Sequence, residues 1–168
     1  MRMRTLSRLE KTLFRLQAQH ACLSWLFGEI SGLSGVVVEL GLGHGRTFDH
    51  LNRHLPDRDI YAFDRANDAY DDCQPDPRFL VLGEIEQTLP QLHDRIGGRI
   101  VLANSDIGSF DQERNRANAA MMSRVLPPMI APGGFIMSDL PLTIPDFESL
   151  PLPAGAPEGR YFLYRQPA

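Results

Sequence analysis

Apolar residues at steps of three and four predict one long helix over residues 3–31. The stripe includes one histidine and consists of Leu6, Leu9, Leu13, Leu16, His20, Leu23, Phe27 and Ile30. Its spacing is close to a heptad repeat. Such a stripe can pack on its own domain or against another subunit, and both interpretations stay open. We expect a homo-oligomer that assembles through this helix.

After residue 35 the pattern alternates between short apolar runs and amphipathic stretches. It predicts five strands, over 36–40, 59–64, 78–82, 99–103 and 135–138, separated by four helices, over 45–55, 66–73, 85–95 and 112–126. Short apolar strands that alternate with helices are typical of a parallel sheet covered on both faces. We therefore predict an α/β fold, a three-layer, doubly wound, mostly parallel sheet. A turn at 132–134 is expected to precede the fifth strand.

Beyond residue 139 the chain becomes rich in proline. Five prolines interrupt the segment 140–159, and 160–165 is the one clear strand that follows. Proline lacks the backbone N–H that a sheet ladder needs. We therefore predict a shortened C-terminal strand region within a single domain.

Charge and residue usage narrow the classes of function. The net charge is −4, so no basic field is expected for a nucleic-acid backbone. No apolar run approaches the ~20 residues of a membrane span, and no signal peptide is recognisable. Cys22 and Cys73 show no motif spacing, which favours a reducing, cytoplasmic compartment. Lys11 is the only lysine, which leaves almost no candidate for lysine chemistry.

A glycine-rich turn between the first strand and the next helix is the most informative motif. Gly41, Gly43 and Gly45 occupy alternate positions there, and glycines let the backbone approach a ligand closely. Asp64 ends the second strand ~20 residues later, where a carboxylate can bind ribose hydroxyls. The combination favours an adenosine-type ligand over a merely tight turn.

The spacing of the glycines separates two cofactor classes. The third glycine of a dinucleotide fingerprint would fall at Arg46. The pattern that is present is E-x-G-x-G-x-G, and it begins at Glu39. This resembles the first motif of class I S-adenosylmethionine-dependent methyltransferases. The resemblance extends over residues 35–139, and the chain resembles a small group of stand-alone bacterial enzymes whose substrate is not established.

The resemblance implies how S-adenosylmethionine is held. The glycine loop would wrap its methionine end, Asp64 would bind the ribose, and residues 83–85 would contact the adenine. The cofactor-binding residues implied are Glu39, Gly41, Gly43, His44, Gly45, Asp64, Arg65, Gly83, Glu84 and Ile85. We divide the single domain 1–168 into a helical extension 1–34, a cofactor-binding core 35–139 and a C-terminal segment 140–168.

Asp106 is the candidate catalytic residue because it follows the fourth strand, beside the expected position of the methyl group. It could position the acceptor or take a proton from it, or it could bind the cofactor's amino group or water. Asp139 ends the fifth strand. Catechol-type O-methyltransferases hold Mg²⁺ with acids at comparable positions followed by Asn, but Leu140 stands there in this chain. We predict no metal.

The function that follows is methyl transfer from S-adenosylmethionine to an unidentified small acceptor by in-line displacement. One alternative is a module that binds S-adenosylmethionine without catalysis, because no large substrate-capping insertion is recognisable. Another is a nicotinamide dinucleotide oxidoreductase, which Arg46 and the lack of a Tyr-x-x-x-Lys pair disfavour. Nucleic-acid and membrane partners are not expected.

Overall fold

The apolar runs form one sheet in the computed structural model, which describes residues 5–168. Within this range the seven strands are β1 Val36–Leu40, β2 Ile60–Asp64, β3 Leu80–Leu82, β4 Ile100–Ser105, β5 Ile130–Ser138, β6 Glu148–Leu150 and β7 Phe162–Arg165. Their order is β3-β2-β1-β4-β5-β7-β6. Strands β1 to β5 are parallel, and β7 runs antiparallel to both of its neighbours.

Four helices cover the two faces of the sheet. They are α1 Arg8–Glu29, α2 Arg46–His54, α3 Ile85–Ile96 and α4 Gln112–Val125. Because strand side chains alternate between faces, Val37 packs in a cluster with α1 and α2, whereas Val36 and Val38 pack with α3 and α4. This confirms the predicted three-layer, mostly parallel fold. No helix within residues 5–168 is long and apolar enough to cross a membrane.

The first helix is shorter than predicted, and its apolar stripe is only partly buried. Residues 3 and 4 lie outside the described residues, and the helix begins after Ser7, whose side chain forms a capping box with Glu10. In the second half of the stripe Leu23 and Ile30 are buried in the core, Phe27 is partly buried and His20 is exposed. The first half is exposed at Leu6, Leu9, Leu13 and Leu16, by 40%, 79%, 48% and 46%.

The helix predicted over 66–73 is wrong. Only Asp71–Cys73 forms a short 3-10 turn, and the rest of the segment is a loop. The loop is held by long-range bonds, because the Tyr70 N–H donates to the His44 carbonyl at 3.0 Å. The Asn67 side chain also donates to Gln74 at 2.6 Å.

The turn predicted at 132–134 is also wrong, because these residues lie inside β5. The pairing of β5 with β4 shifts there: Ile100 faces Ile130, but Leu102 faces Phe135. The segment is therefore a bulge, which inserts residues without a partner in β4 and does not end the strand.

The C-terminal region contains a strand that the sequence did not reveal. Strand β6 pairs with β7 over Glu148–Leu150, so two strands follow β5 rather than one. The strand is only three residues long, so the region is short, as predicted. The remaining strands and helices agree with the predicted elements to within a few residues.

Candidate active site

A cavity of about 640 Å³ lies at the carboxyl ends of β1, β2 and β4, where open α/β sheets bind ligands. Nine of the predicted site residues line it: Gly41, Gly43, His44, Gly45, Asp64, Arg65, Glu84, Ile85 and Asp106. Glu39 and Gly83 are outside its wall. The volume is in the range of small-molecule sites, which is about 300–1,000 Å³.

The three loop glycines all have positive φ, and two of them are packed against neighbouring backbone. A Cβ on Gly41 would lie 2.5 Å from the Asp106 carbonyl oxygen, and one on Gly45 would lie 2.8 Å from Cys73 Cβ. At Gly43, apart from the glycine and its two chain neighbours, no atom of the described residues lies within 4 Å of such a Cβ. The loop is thus fixed at both ends and open in the middle, which fits a ligand that approaches its backbone.

Asp64 joins the end of β2 to this loop. One carboxylate oxygen accepts a hydrogen bond from the Gly43 N–H at 2.9 Å, and the other accepts from the Arg65 N–H at 2.7 Å. An ionised carboxylate has about four acceptor sites. Asp64 can therefore accept two further hydrogen bonds from a pair of ribose hydroxyls.

The wall beyond Asp64 is formed by the β2 and β3 ends. Arg65 Nε lies 3.3 Å from Glu84 Oε1, and both side chains are more than half exposed. Ile85 follows at the start of α3 and adds an apolar surface to the cavity. A carboxylate beside an apolar side chain can bind the edge and the face of an adenine ring.

Glu39 is buried beneath the cavity. Its two oxygens accept hydrogen bonds from the Thr47 hydroxyl and, at 2.8 Å, from the Asn104 amide. Burial raises the pKa of Glu39 to about 8, although both hydrogen bonds oppose the shift. Glu39 thus ties β1 to α2 and β4 and supports the glycine loop from below.

His44 and Arg46 contact the loop that follows β2. The His44 ring stacks on Tyr70 at 4.9 Å, and its Nδ1–H donates to the Asp68 carbonyl at 3.1 Å. The Arg46 guanidinium lies over the same Tyr70 ring and donates to its hydroxyl at 3.2 Å. These contacts fold residues 68–70 against one side of the glycine loop.

Asp106 is held by residues that the sequence analysis did not single out. It accepts from Arg15 Nη2 at 2.5 Å and from Gln19 Nε2 at 3.1 Å. Gln19 also lies 2.5 Å from the buried Tyr161 hydroxyl. A signal was present in the sequence, because Arg15 and Gln19 share a helix face with the buried Cys22. Gln19 is itself buried, and a buried polar side chain implies a polar partner.

Asp139 lies behind Asp106, at the end of β5. Its oxygens accept from the backbone N–H of Gly108 at 2.7 Å and of Ile107 at 3.3 Å. Burial, and then the charge of Asp106, raises the pKa of Asp139 to about 7. Among residues 5–168, no group of three or more His, Cys, Asp or Glu side chains is placed to hold a metal ion.

Comparison with known proteins agrees with this geometry. A model of the S-adenosyl-L-methionine methyltransferase family matches residues 6–166. The crystal structure of an S-adenosyl-L-methionine methyl transferase from Silicibacter pomeroyi DSS-3 is 40% identical, with a TM-score of 0.92, and the match covers 96% of this chain and 99% of that chain. A search of the curated proteins found no match.

A more distant structure shows the same fold. Magnesium protoporphyrin IX methyltransferase (ChlM) from Synechocystis PCC 6803, with bound S-adenosylmethionine, is 11% identical with a TM-score of 0.62, over 98% of this chain and 86% of that chain. The family match spans nearly the whole chain, and nine of the residues predicted from the sequence line one cavity. The chain therefore belongs to the S-adenosyl-L-methionine methyltransferase family and is an enzyme that transfers the methyl group of this cofactor.

Proposed function

We propose that the chain binds S-adenosylmethionine across the glycine loop and transfers its methyl group to a small acceptor beside Asp106. The observation that carries the proposal is the hydrogen bond from the Gly43 N–H to Asp64. It brings the predicted ribose-binding carboxylate and the open glycine to one wall of the cavity. The bound cofactor supplies a methyl group on a positively charged sulfur, which is a good leaving group.

The chain's own residues then divide the cavity between cofactor and acceptor. Gly41, Gly43 and Gly45 would hold the methionine end, and Asp64 the ribose. Four further wall residues would complete the cofactor site: His44, Arg65, Glu84 and Ile85. Gly83 would shape the turn into the adenine side, because its φ is +138°.

Asp106 would act on the acceptor. Its side chain is 14% exposed, at the mouth of a hydrogen-bonded group with Arg15 and Gln19. A fixed carboxylate there can orient a hydroxyl or amine in line with the methyl group, and correct orientation supplies much of the rate of a displacement. The acceptor would be small because one cavity of about 640 Å³ receives both reactants.

Calorimetric titration tests the cofactor site. S-adenosylhomocysteine should bind and NAD should not. Asp64→Ala should lose about 1.5–3 kcal/mol of binding free energy for each charge-assisted hydrogen bond removed. Asp57→Ala, an exposed carboxylate in the loop before β2, is the matched control and should leave the affinity unchanged. Equal affinity in the Asp64→Ala variant would contradict the proposed ribose contact.

Product analysis tests the acceptor side. Candidate hydroxyl, amine and thiol compounds would be incubated with the enzyme and S-adenosylmethionine, and S-adenosylhomocysteine would be quantified. A small acceptor should accelerate its release in the native enzyme, and Asp106→Asn should lower this rate without abolishing cofactor binding. Turnover with a macromolecular acceptor alone would contradict the proposal.

We also propose that two copies of the chain associate through the exposed half of the α1 stripe. Leu9, Leu13 and Leu16 of α1, with Leu6 just before the helix, keep the steps of three and four that pair helices, and all four are exposed. Sedimentation should give a dimer, and Leu9→Glu with Leu13→Glu should give a monomer that still binds S-adenosylhomocysteine. Lys11→Glu, on the polar side of the helix, is the control. A monomeric native protein would contradict the proposal.

A cytoplasmic location is proposed from the thiols. Cys22 and Cys73 are both free, and free thiols are typical of reducing compartments. Fractionation of the source cells should recover the protein with cytoplasmic markers, whereas recovery with an extracytoplasmic fraction would contradict the proposal.

A further inference from the structure

The hydrogen bonds that hold Asp106 continue from α1 to a buried tyrosine. Arg15 Nη2 and Gln19 Nε2 both donate to Asp106 Oδ2, at 2.5 and 3.1 Å. The same Gln19 nitrogen donates to the Tyr161 hydroxyl oxygen at 2.5 Å, and Arg15 Nε donates to it at 3.5 Å. Both residues of α1 therefore bridge Asp106 and Tyr161.

The chemistry of these partners fixes the direction of each hydrogen bond. A carboxylate only accepts and a guanidinium only donates, whereas an amide nitrogen carries two hydrogens. Gln19 therefore turns its nitrogen towards Asp106, and its second hydrogen points to the Tyr161 oxygen. Because Tyr161 accepts that hydrogen, the amide is held at both of its donors and keeps one orientation.

The Tyr161 hydroxyl is buried, and the packing of the core does not require it. Tyr161 is 2% exposed and belongs to the cluster that packs α1 and α2 on the sheet. A phenylalanine would fill the same space without removing a hydroxyl from water, which is unfavourable unless the hydroxyl is hydrogen-bonded. Within residues 5–168 its hydrogen-bond partners are Arg15 and Gln19. Burial raises the pKa of Tyr161, so the hydroxyl stays neutral and acts as a hydrogen-bonding partner.

The sheet fixes the position of this hydroxyl. Tyr161 directly precedes β7, which pairs with β5, and β5 pairs with β4. Asp106 directly follows β4. Arg15 and Gln19, one turn apart on α1, thus lie between two groups that the same sheet holds in place.

We propose that Tyr161 is a positioning residue for methyl transfer, whose hydroxyl orients Gln19 and Arg15 so that they hold the Asp106 carboxylate in place at the cavity wall. The inference rests on the proposed function, in which Asp106 orients the acceptor. In-line displacement is sensitive to small displacements of the reacting groups. Loss of the hydroxyl therefore slows methyl transfer, while the cofactor site across the cavity is unchanged.

Tyr161→Phe tests the proposal because it removes only the hydroxyl. The kcat is measured as S-adenosylhomocysteine formed with a small hydroxyl, amine or thiol acceptor. It should fall about five- to tenfold, the effect of losing one hydrogen bond. The KM for S-adenosylmethionine and the affinity for S-adenosylhomocysteine should not change.

A double-mutant cycle tests whether Tyr161 acts through Gln19. Gln19→Met keeps a side chain of similar length without donors, and it should lower kcat at least as much as Tyr161→Phe. Adding Tyr161→Phe to Gln19→Met should cause a smaller further loss than Tyr161→Phe causes alone. Losses of kcat that multiply independently would overturn the proposed role of Tyr161.

Tyr164→Phe is the matched control. Tyr164 is also buried, but it packs on the other face of the sheet, and its hydroxyl accepts from the Leu142 N–H at 2.8 Å. This variant should lose a similar amount of stability and keep its kcat. An equal kcat in the native, Tyr161→Phe and Tyr164→Phe proteins would overturn the proposal, and so would an equal loss in both variants. Failure of the native enzyme to bind S-adenosylhomocysteine would instead contradict the proposed function.

NMR of the complex with S-adenosylhomocysteine gives a test that needs no acceptor. Tyr161→Phe should shift the carbon-13 signal of the Asp106 carboxyl group, assigned with Asp106→Asn, and should speed hydrogen exchange at Arg15 Nε. Tyr164→Phe should change neither. If Tyr161→Phe does not fold, Gln19→Met provides the same comparison. An unchanged Asp106 signal in the folded variant would overturn the proposal.

Discussion

Gly41, Gly43 and Gly45 all have positive φ, but their surroundings differ. Gly41 and Gly45 are crowded by backbone or Cβ atoms of neighbouring segments, whereas the described residues leave the space beside Gly43 open. A side chain at Gly43 would therefore cost only backbone strain in the free protein. With the cofactor bound, the same side chain would occupy the space of the ligand.

Gly43→Ala should lower the affinity for S-adenosylhomocysteine at least about tenfold, or 1.4 kcal/mol. Its free energy of unfolding should fall by only about 1–2 kcal/mol, the cost of a left-handed alanine. Gly155→Ala is the matched control, because Gly155 has a φ of +86° and equally open surroundings among the described residues. It should lose similar stability and no affinity. Calorimetry and urea denaturation measure the two effects, and equal affinity in both variants would contradict the placement of the ligand.

Titration of the buried Glu39 should make the free energy of unfolding depend on pH. Its pKa is raised from 4.5 to about 8 in the folded protein, so the native state binds more protons than the unfolded state over that range. Stability should therefore fall as pH rises from about 4.5 to 8. Asp139 adds to the decline only up to its pKa of about 7.

Glu39→Gln should flatten the decline between pH 7 and 8 because only Glu39 of these two acids still titrates there. Urea denaturation at several pH values measures this effect. Asp139→Asn should flatten the decline at lower pH instead. If the native protein gained stability with rising pH over this range, the buried position of Glu39 would be wrong.

At the scale of elements, one arginine ties the end of α1 to the start of β1. Arg58, in the loop before β2, donates to the Ile30, Leu33 and Gly35 carbonyls at 2.6, 2.7 and 3.0 Å. Carbonyls at a helix end lack partners within the helix, and a cation there also complements the helix dipole. The contact sets the position of α1, and hence of Arg15, relative to the sheet.

Arg58→Lys should lower the free energy of unfolding by about 1–3 kcal/mol, since an ammonium cannot reach all three carbonyls with the geometry of the guanidinium. Arg53→Lys, in an exposed pair with Asp49, is the control and should change stability by less than about 0.5 kcal/mol. Thermal or urea denaturation distinguishes the two. A loss no greater than that of the control would show that Arg58 does not hold this turn.

The elements that the sequence predicted correctly are those with a strong local pattern. The apolar run of β1 and the amphipathic pattern of α2 need no distant partner to be recognised. The loop at 66–73 was wrongly predicted as a helix because its conformation is fixed by the glycine loop, through Tyr70 and His44. Strand β6 was missed because three residues between prolines become a strand only by pairing with β7.

The residues of the site also fall into those that the sequence could predict and those that it could not. The glycine loop and Asp64 could be predicted because their spacing along the chain follows the strand and the helix that hold them. The sequence shows Arg15 and Gln19 only as polar residues on one face of α1. Their contacts with Asp106, and the contact of Gln19 with Tyr161, could not be predicted, because these residues come from distant parts of the sequence. The stripe on α1 likewise shows which residues are apolar but not which of them the sheet covers.

At the scale of the whole molecule, cofactor binding should stabilise the fold. S-adenosylhomocysteine at a hundred times its dissociation constant should add about 2.7 kcal/mol to the free energy of unfolding. For a chain of this size that corresponds to roughly 5–10 °C in Tm. NAD should cause no shift. A thermal-shift assay measures both, and a shift with NAD alone would contradict the assignment of the glycine loop.

Helix α1 carries three of the exposed leucines, Leu9, Leu13 and Leu16, and also Arg15, which contacts Asp106. Leu16 belongs to both regions, because it is part of the stripe and also lines the cavity. A partner that packed on these leucines would therefore also border the cavity on the side proposed for the acceptor. If a second copy of the chain packs on these leucines, turnover per subunit should vary with enzyme concentration. Progress curves started from a very dilute stock should then show a lag while the dimer forms again.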